Sequence, residues 1–254
     1  ESSPILPTLF ITIACGAISG FHATQSPLMA RCVKNERECR FVFYGSMISE
    51  SIIALIWAAV AMAFFGGVEG LNGWMAENGD KAGLAVSTIS VATLGVAGSI
   101  LALLGVVAAP ITSGDTAFRS ARLIVADMLN FDQRPIWKRL VVSLPLFAAG
   151  IGIAFIDFDV IWRYFAWSNQ ALSVLTLWMI TAWLMRRRSR FVLLALIPAL
   201  IMTYICASFV FVSDQFVGMG SVDAAYIYGG AVSAIVAGLL ILKIRKINRN
   251  ETNI

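Results

Sequence analysis

The feature that most constrains this chain is a series of long stretches without charge. Residues 2–30, 82–114, 140–156, 164–185, 191–213 and 224–242 contain no Asp, Glu, Lys or Arg, and 41–66 contain one, Glu50. A helix that crosses a bilayer needs about 20 mostly apolar residues. The pattern therefore predicts seven spans, over about 5–26, 41–66, 95–118, 138–156, 161–185, 191–213 and 224–243. The stretch 82–114 is too long for one crossing: a straight helix of that length would reach roughly 50 Å against a hydrocarbon core of ~30 Å. It divides near Gly95. The small, Ser/Thr-rich part before Gly95 belongs to a segment 67–94 that is re-entrant or interfacial on the extracellular side, and the part after it is the span. Pro110 should kink that span and free a backbone carbonyl. The expected fold class is an all-α polytopic membrane protein, with residues 1–254 in one transmembrane domain.

Composition supports lipid as the solvent. The 254 residues are 59% hydrophobic and 13% charged, with a mean hydropathy of +0.81. That charge content is about half of the roughly 25% usual in soluble domains. Soluble enzymes, disordered proteins and nucleic-acid binders are excluded on this ground. The single His excludes bis-His haem ligation and a His-rich metal site. Cys15, Cys32, Cys39 and Cys206 lack zinc-ligand spacing and read as free thiols.

The loops carry the orientation. Segments 31–40, 115–139, 186–190 and the tail after 242 hold 17 Lys and Arg, whereas the opposite loops hold only Lys81 and Arg163. This is a strong positive-inside pattern. With seven spans it puts the N-terminus outside and the C-terminus in the cytoplasm. The chain begins ESSPILP, without Met or a basic leader region. An external N-terminus on an odd number of spans fits the C-terminal part of a longer protein, whose earlier helices would be this chain's natural partners.

Some residues are not explained by lipid. The first span holds Gly16, Ser19, Gly20, His22, Thr24, Gln25 and Pro27 close together. Irregular backbone at membrane depth is tolerated where it lines a cavity or is buried in protein. A discontinuous helix whose freed carbonyls and amides bind a substrate is one reading; a helix end packed closely through small residues is the other. Glu50 is an isolated carboxylate within the second span, hence either a functional group or half of a structural ion pair. Thr112, Asp115, Thr116 and Arg119 share a helical face by spacing, and with Ser113 they form an ion-coupling or gating patch or an interfacial salt bridge. Asn169, Ser173 and Thr176 share a face of the fifth span, as pathway lining or as interhelical hydrogen-bonding groups. Trp162, Trp167, Trp178 and Trp183 read as anchors and packing residues. The sequence GMGSVD at 218–223 lacks the third glycine of a dinucleotide loop. An intramembrane hydrolase using Ser19 and His22 lacks a placed base and an oxyanion hole. The chain is not expected to be an enzyme.

Four blocks, LFITIACGAISGFHA, YGSMISES, GDTAFRSAR and the pattern Trp162, Phe165, Asn169, Gln170, resemble the carbon starvation protein A (CstA) family, over residues 4 to about 210. The resemblance implies a bacterial inner-membrane carrier that takes up peptides, or pyruvate, when carbon is short. It also implies the LeuT-like architecture of two inverted five-helix repeats, with this chain as the second repeat plus C-terminal helices. The mechanism would be alternating access. Gly16 to Gly20 would supply backbone contacts to the small-molecule substrate, Ser19, His22 and Asn169 would supply polar side chains, and Glu50, Thr112, Ser113, Asp115 and Arg119 would serve ion coupling or gating. No cofactor is implied beyond a coupling proton or sodium ion. The competing reading is a non-transporting membrane subunit or scaffold.

The charge asymmetry makes a topological prediction. Cysteines introduced as Asn78→Cys and Gly218→Cys should react with a membrane-impermeant thiol reagent added outside intact cells, and Arg188→Cys should not. Labelling at position 188 from outside would overturn the orientation.

Overall fold

The computed structural model describes residues 5–12, 20–79, 81–156 and 158–252. Among these there is no strand. The helices are α1 (Ile5–Thr12), α2 (Gly20–Ala30), α3 (Ser46–Phe65), α4 (Val68–Glu77), α5 (Ala82–Met128), α6 (Ile136–Ile153), α7 (Phe158–Arg186), α8 (Val192–Val212) and α9 (Val222–Thr252). A 3-10 turn at Glu36–Glu38 and a π-helical turn at Arg40–Gly45 lead into α3. Five helical runs are long and apolar enough to cross a membrane: Glu36–Phe65, Ala82–Met128, Ile136–Ile153, Val192–Val212 and Val222–Ile244. α7, at 29 residues, has the length but is diluted by Ser168, Asn169, Gln170, Ser173 and four tryptophans. The first expected span is represented by two short helices, α1 and α2, on either side of residues 13–19, which lie outside the described residues.

The chain forms two compact units, one of Glu1–Pro27 with Ile151–Ile254 and one of Leu28–Gly150. In the first, α8 packs against both α7 and α9, and α1 packs against α7 and α8. That placement explains why α8 is apolar all round yet rich in small residues. Its buried residues are Ala195, Ala199, Met202, Thr203, Ile205, Cys206, Ser208 and Phe209, and small side chains let helices approach when lipid offers no hydrophobic gradient between them. Trp178, Ala199, Ala237 and Ile244 form one core cluster, and Ile11, Ala166 and Phe209 form another. Two tryptophans of α7 also donate to α8: the Trp178 indole to Thr203 Oγ1 at 3.1 Å and the Trp167 indole to the Cys206 carbonyl at 3.2 Å. Trp162 and Trp183 are exposed, and the Arg187 guanidinium lies 4.6 Å from the Trp183 ring. The tryptophans thus divide into packing residues and outward-facing ones. Gly229 of α9 lies so close to α8 that an added Cβ would collide with the backbone and hydroxyl of Ser208.

In the second unit α3 packs on α4 and α5, while its apolar residues Ile48, Ile52, Ile53, Leu55 and Ile56 stay exposed. The long uncharged stretch does divide at Gly95, which alone in α5 leaves helical geometry, with φ 65° and ψ −173°. Only glycine adopts that conformation readily. Pro110 stays inside the helix. The helix after Gly95 runs to Met128, ten residues beyond the expected end of the span at 118. Charge ends an apolar stretch but not a helix. This one stops at Asn130, left-handed at φ 51°, where Asn130 N–H bonds the Asp127 carbonyl and Phe131 N–H the Ala126 carbonyl, a Schellman ending. α7 ends the same way, with Arg188 left-handed at φ 49°. Cys32, Cys39 and Cys206 are free thiols, and Cys15 lies outside the described residues.

Gly95→Ala should lower the unfolding free energy by about 1–3 kcal/mol through backbone strain. Gly105→Ala, in regular helix with open space at its Cβ, should leave it unchanged or raise it by up to about 1 kcal/mol. Thermal unfolding of the purified protein distinguishes the two.

Candidate functional site

A helix end leaves backbone groups without intrahelical partners, and at membrane depth no water replaces them. In the first unit, side chains of α7 bond backbone groups in the described residues of α1 and α2. Asn169 Oδ1 accepts the Phe21 N–H at 2.8 Å, in the first turn of α2. The next residue, Gln170, donates through Nε2 to the Phe10 carbonyl at 3.1 Å, in the last turn of α1. Both side chains are buried, at 6% and 1% exposure. Ser173, one turn further on, donates to the Gln170 carbonyl at 2.7 Å and to Gln170 Oε1 at 3.2 Å. The amide oxygen is thereby occupied and the amide nitrogen directed at α1. Two adjacent carboxamides so tie together the helices that bracket residues 13–19.

Close approach makes this possible. Gly20 is buried at the start of α2, and a Cβ there would collide with the Asn169 carbonyl and the Leu172 side chain. Gly20 accordingly lets α2 lie directly on α7. His22 lies within the same turn and is half-buried, and the Thr24 hydroxyl donates to the Phe21 carbonyl at 2.8 Å. Gly16 and Ser19 lie outside the described residues. The unit therefore brings Gly20 and Asn169 together; His22, two positions on, lies on the opposite side of α2 from the face that Gly20 lays on α7. Gln170 belongs with Gly20 and Asn169 but was not among the expected site residues; the signal available for it was two consecutive carboxamides in an otherwise apolar helix.

The remaining expected residues lie in the second unit. Glu50 is exposed on α3, and among the described residues no Lys or Arg pairs with it. Asp115 and Arg119 form an i, i+4 ion pair at 2.7 Å with both side chains more than half exposed. Such a pair on a helix surface is worth a few tenths of a kcal/mol. Thr112 is exposed and its hydroxyl donates to the Ala109 carbonyl at 2.8 Å; Ser113 is exposed. Thr116 Oγ1 bonds the Thr112 carbonyl at 3.1 Å. Among the described residues no cluster of His, Cys, Asp and Glu is arranged to hold a metal ion.

Asn169→Ala removes the acceptor for a buried amide, which should cost about 1–3 kcal/mol. Hydrogen–deuterium exchange in the peptide containing Phe21 should accelerate, while peptides of α9 keep their protection. Unchanged exchange at Phe21 would show that the carboxamide is dispensable for holding α2.

Residues 2–102 match the family described as "Carbon starvation protein CstA", a shorter reach than the motif resemblance. An uncharacterized protein of Haemophilus influenzae is 49% identical over 114 residues, covering 45% of this chain and 82% of that protein. The pyruvate/proton symporter BtsT of Escherichia coli is 39% identical over 84 residues, 33% of this chain and 11% of BtsT. The peptide transporter CstA of the same organism is 47% identical over 53 residues, 20% of this chain and 8% of that transporter. The matched region is thus about a tenth of the length of these relatives named as transporters. No solved structure matches. The family match, together with five membrane-length apolar helical runs and no strand among the described residues, identifies a member of the carbon starvation protein CstA family.

Proposed function

We propose that this chain forms part of a secondary active transporter that takes up peptides or pyruvate across the bacterial inner membrane by alternating access. The observation that carries the reading is the reach of α7: Asn169 and Gln170 bond backbone groups in the helices that precede and follow residues 13–19 in sequence. A helix N-terminus presents unpaired amides and the positive end of its dipole, and a C-terminus presents carbonyls and the negative end. In this reading residues 13–19 interrupt the helix, and ends of this kind suit a substrate with a carboxylate, and one with an ammonium group as well. The names of the relatives, a peptide transporter and a pyruvate/proton symporter, agree with carboxylate-bearing substrates.

In this reading the chain is the second inverted repeat of a LeuT-like carrier with its C-terminus in the cytoplasm. Gly16, Ser19, Gly20, His22 and Asn169 form the substrate region. Glu50 and His22 are the proton-coupling candidates, and Thr112 and Ser113 are the sodium-coupling candidates. Asp115 and Arg119 act at a gate.

The test is uptake of labelled peptide and of labelled pyruvate by cells that express the full-length protein, against cells that lack it. With wild type, one substrate should accumulate in response to an imposed pH gradient. Glu50→Gln should abolish that accumulation while substrate exchange across the membrane continues. Loss of exchange and accumulation together at normal expression assigns Glu50 a structural role. Equal uptake in expressing and non-expressing cells would favour a non-transporting membrane subunit.

A further inference from the structure

Within the second unit, α5 and α6 meet through side chains. The rings of Phe118 and Phe147 stack with centroids 4.5 Å apart, and Phe118 occupies the space where a Cβ on Gly150 would lie. Beside this aromatic wedge an open groove of about 400 Å³ is lined by Asp115, Arg119, Arg122, Arg139, Ser143 and Phe147, among others. Three guanidinium groups border it against one carboxylate, and that carboxylate is engaged by Arg119. Arg139 is fixed from behind, with Nε donating to the Gln133 carbonyl at 2.6 Å and a terminal nitrogen to the Arg134 carbonyl at 3.4 Å. Arg122 is half-buried, and its Nε is out of solvent with no acceptor.

A buried guanidinium donor without an acceptor is costly, and its fixed fork matches the oxygens of a phosphate. The Ser143 hydroxyl adds a further donor to the lining, and Leu146 and Phe147 extend it with apolar surface. We propose that the α5–α6 groove is a binding site for a phosphate group, held by Arg122 and Arg139 with Ser143. The apolar continuation suits a phosphate that carries acyl chains, and basic pockets between membrane helices hold anionic headgroups in this manner. Inorganic phosphate shares the same charged chemistry without the apolar part.

The full-length protein in phosphatidylcholine nanodiscs is titrated separately with phosphatidylglycerol and with inorganic phosphate, following the thermal unfolding midpoint. Bound lipid is counted by mass spectrometry. Wild type should bind phosphatidylglycerol, and R122Q/R139Q should weaken that binding roughly thirtyfold, at ~1 kcal/mol for each arginine. R122K/R139K, which keeps the charge and loses the fork, should restore part of it. If R122Q/R139Q does not fold, R139Q alone should weaken binding roughly fivefold. Saturation by inorganic phosphate at equal or lower concentration, with the same dependence on the arginines, supports the site and identifies the free anion as its occupant. Binding of neither probe, or binding of both unaffected by the glutamine variants, would overturn it.

Discussion

Two side-chain bonds from α7 to the backbones of α1 and α2 hold the first unit together, since lipid offers no other partner to a buried amide or carbonyl. Here Gln170 and Asn169 take one of each. Because the two residues are consecutive, their side chains leave α7 in directions about 100° apart around its axis, which lets one stretch of helix reach two different neighbours. Ser173 then sets which end of the Gln170 amide faces α1. The rest of the unit keeps α7 in place: Trp167 and Trp178 bond it to α8, and α8 is closed on its other side by α9.

The units differ in how they meet the apolar environment. The first has buried clusters and interhelical hydrogen bonds. The second leaves the apolar residues of α3 exposed and joins α5 to α6 through one aromatic stack. The family match at 2–102 enters both units. The carboxamide pair on α7 lies beyond it, so α1 and α2 are held by a part of the chain outside the matched segment.

What the sequence made legible follows from local physics. The division at Gly95 could be read because 33 uncharged residues exceed one crossing and a single glycine permits the reversal in φ. Asn169 stood out because lipid-facing helix has no use for a carboxamide. Its partner could not be read, since Phe21 is 148 positions away and nothing local marks that pairing. Gly20 fitted binding and packing equally well in sequence; only the position of α7 shows that its missing side chain makes room for the Asn169 carbonyl. The end of α5 could not be read from the span, because hydropathy reports where lipid ends, while the helix follows its own hydrogen bonds to Asn130. The arginines around the α5–α6 groove looked like ordinary positive-inside charge, because the groove exists only once Phe118 and Phe147 stack.

The contact between Gly229 and Ser208 bears on movement. The backbone of Gly229 lies against the backbone and the short hydroxyl side chain of Ser208, which leaves little room to absorb a shift. Sliding α9 along α8 would drive the Ser208 hydroxyl into the next residue of α9, and rolling either helix would bring a Cβ into the seam. Packed interfaces of this kind yield in discrete steps rather than by continuous deformation. The seam between α8 and α9 therefore resists sliding at Gly229, and a displacement of one helix there must be matched by the other.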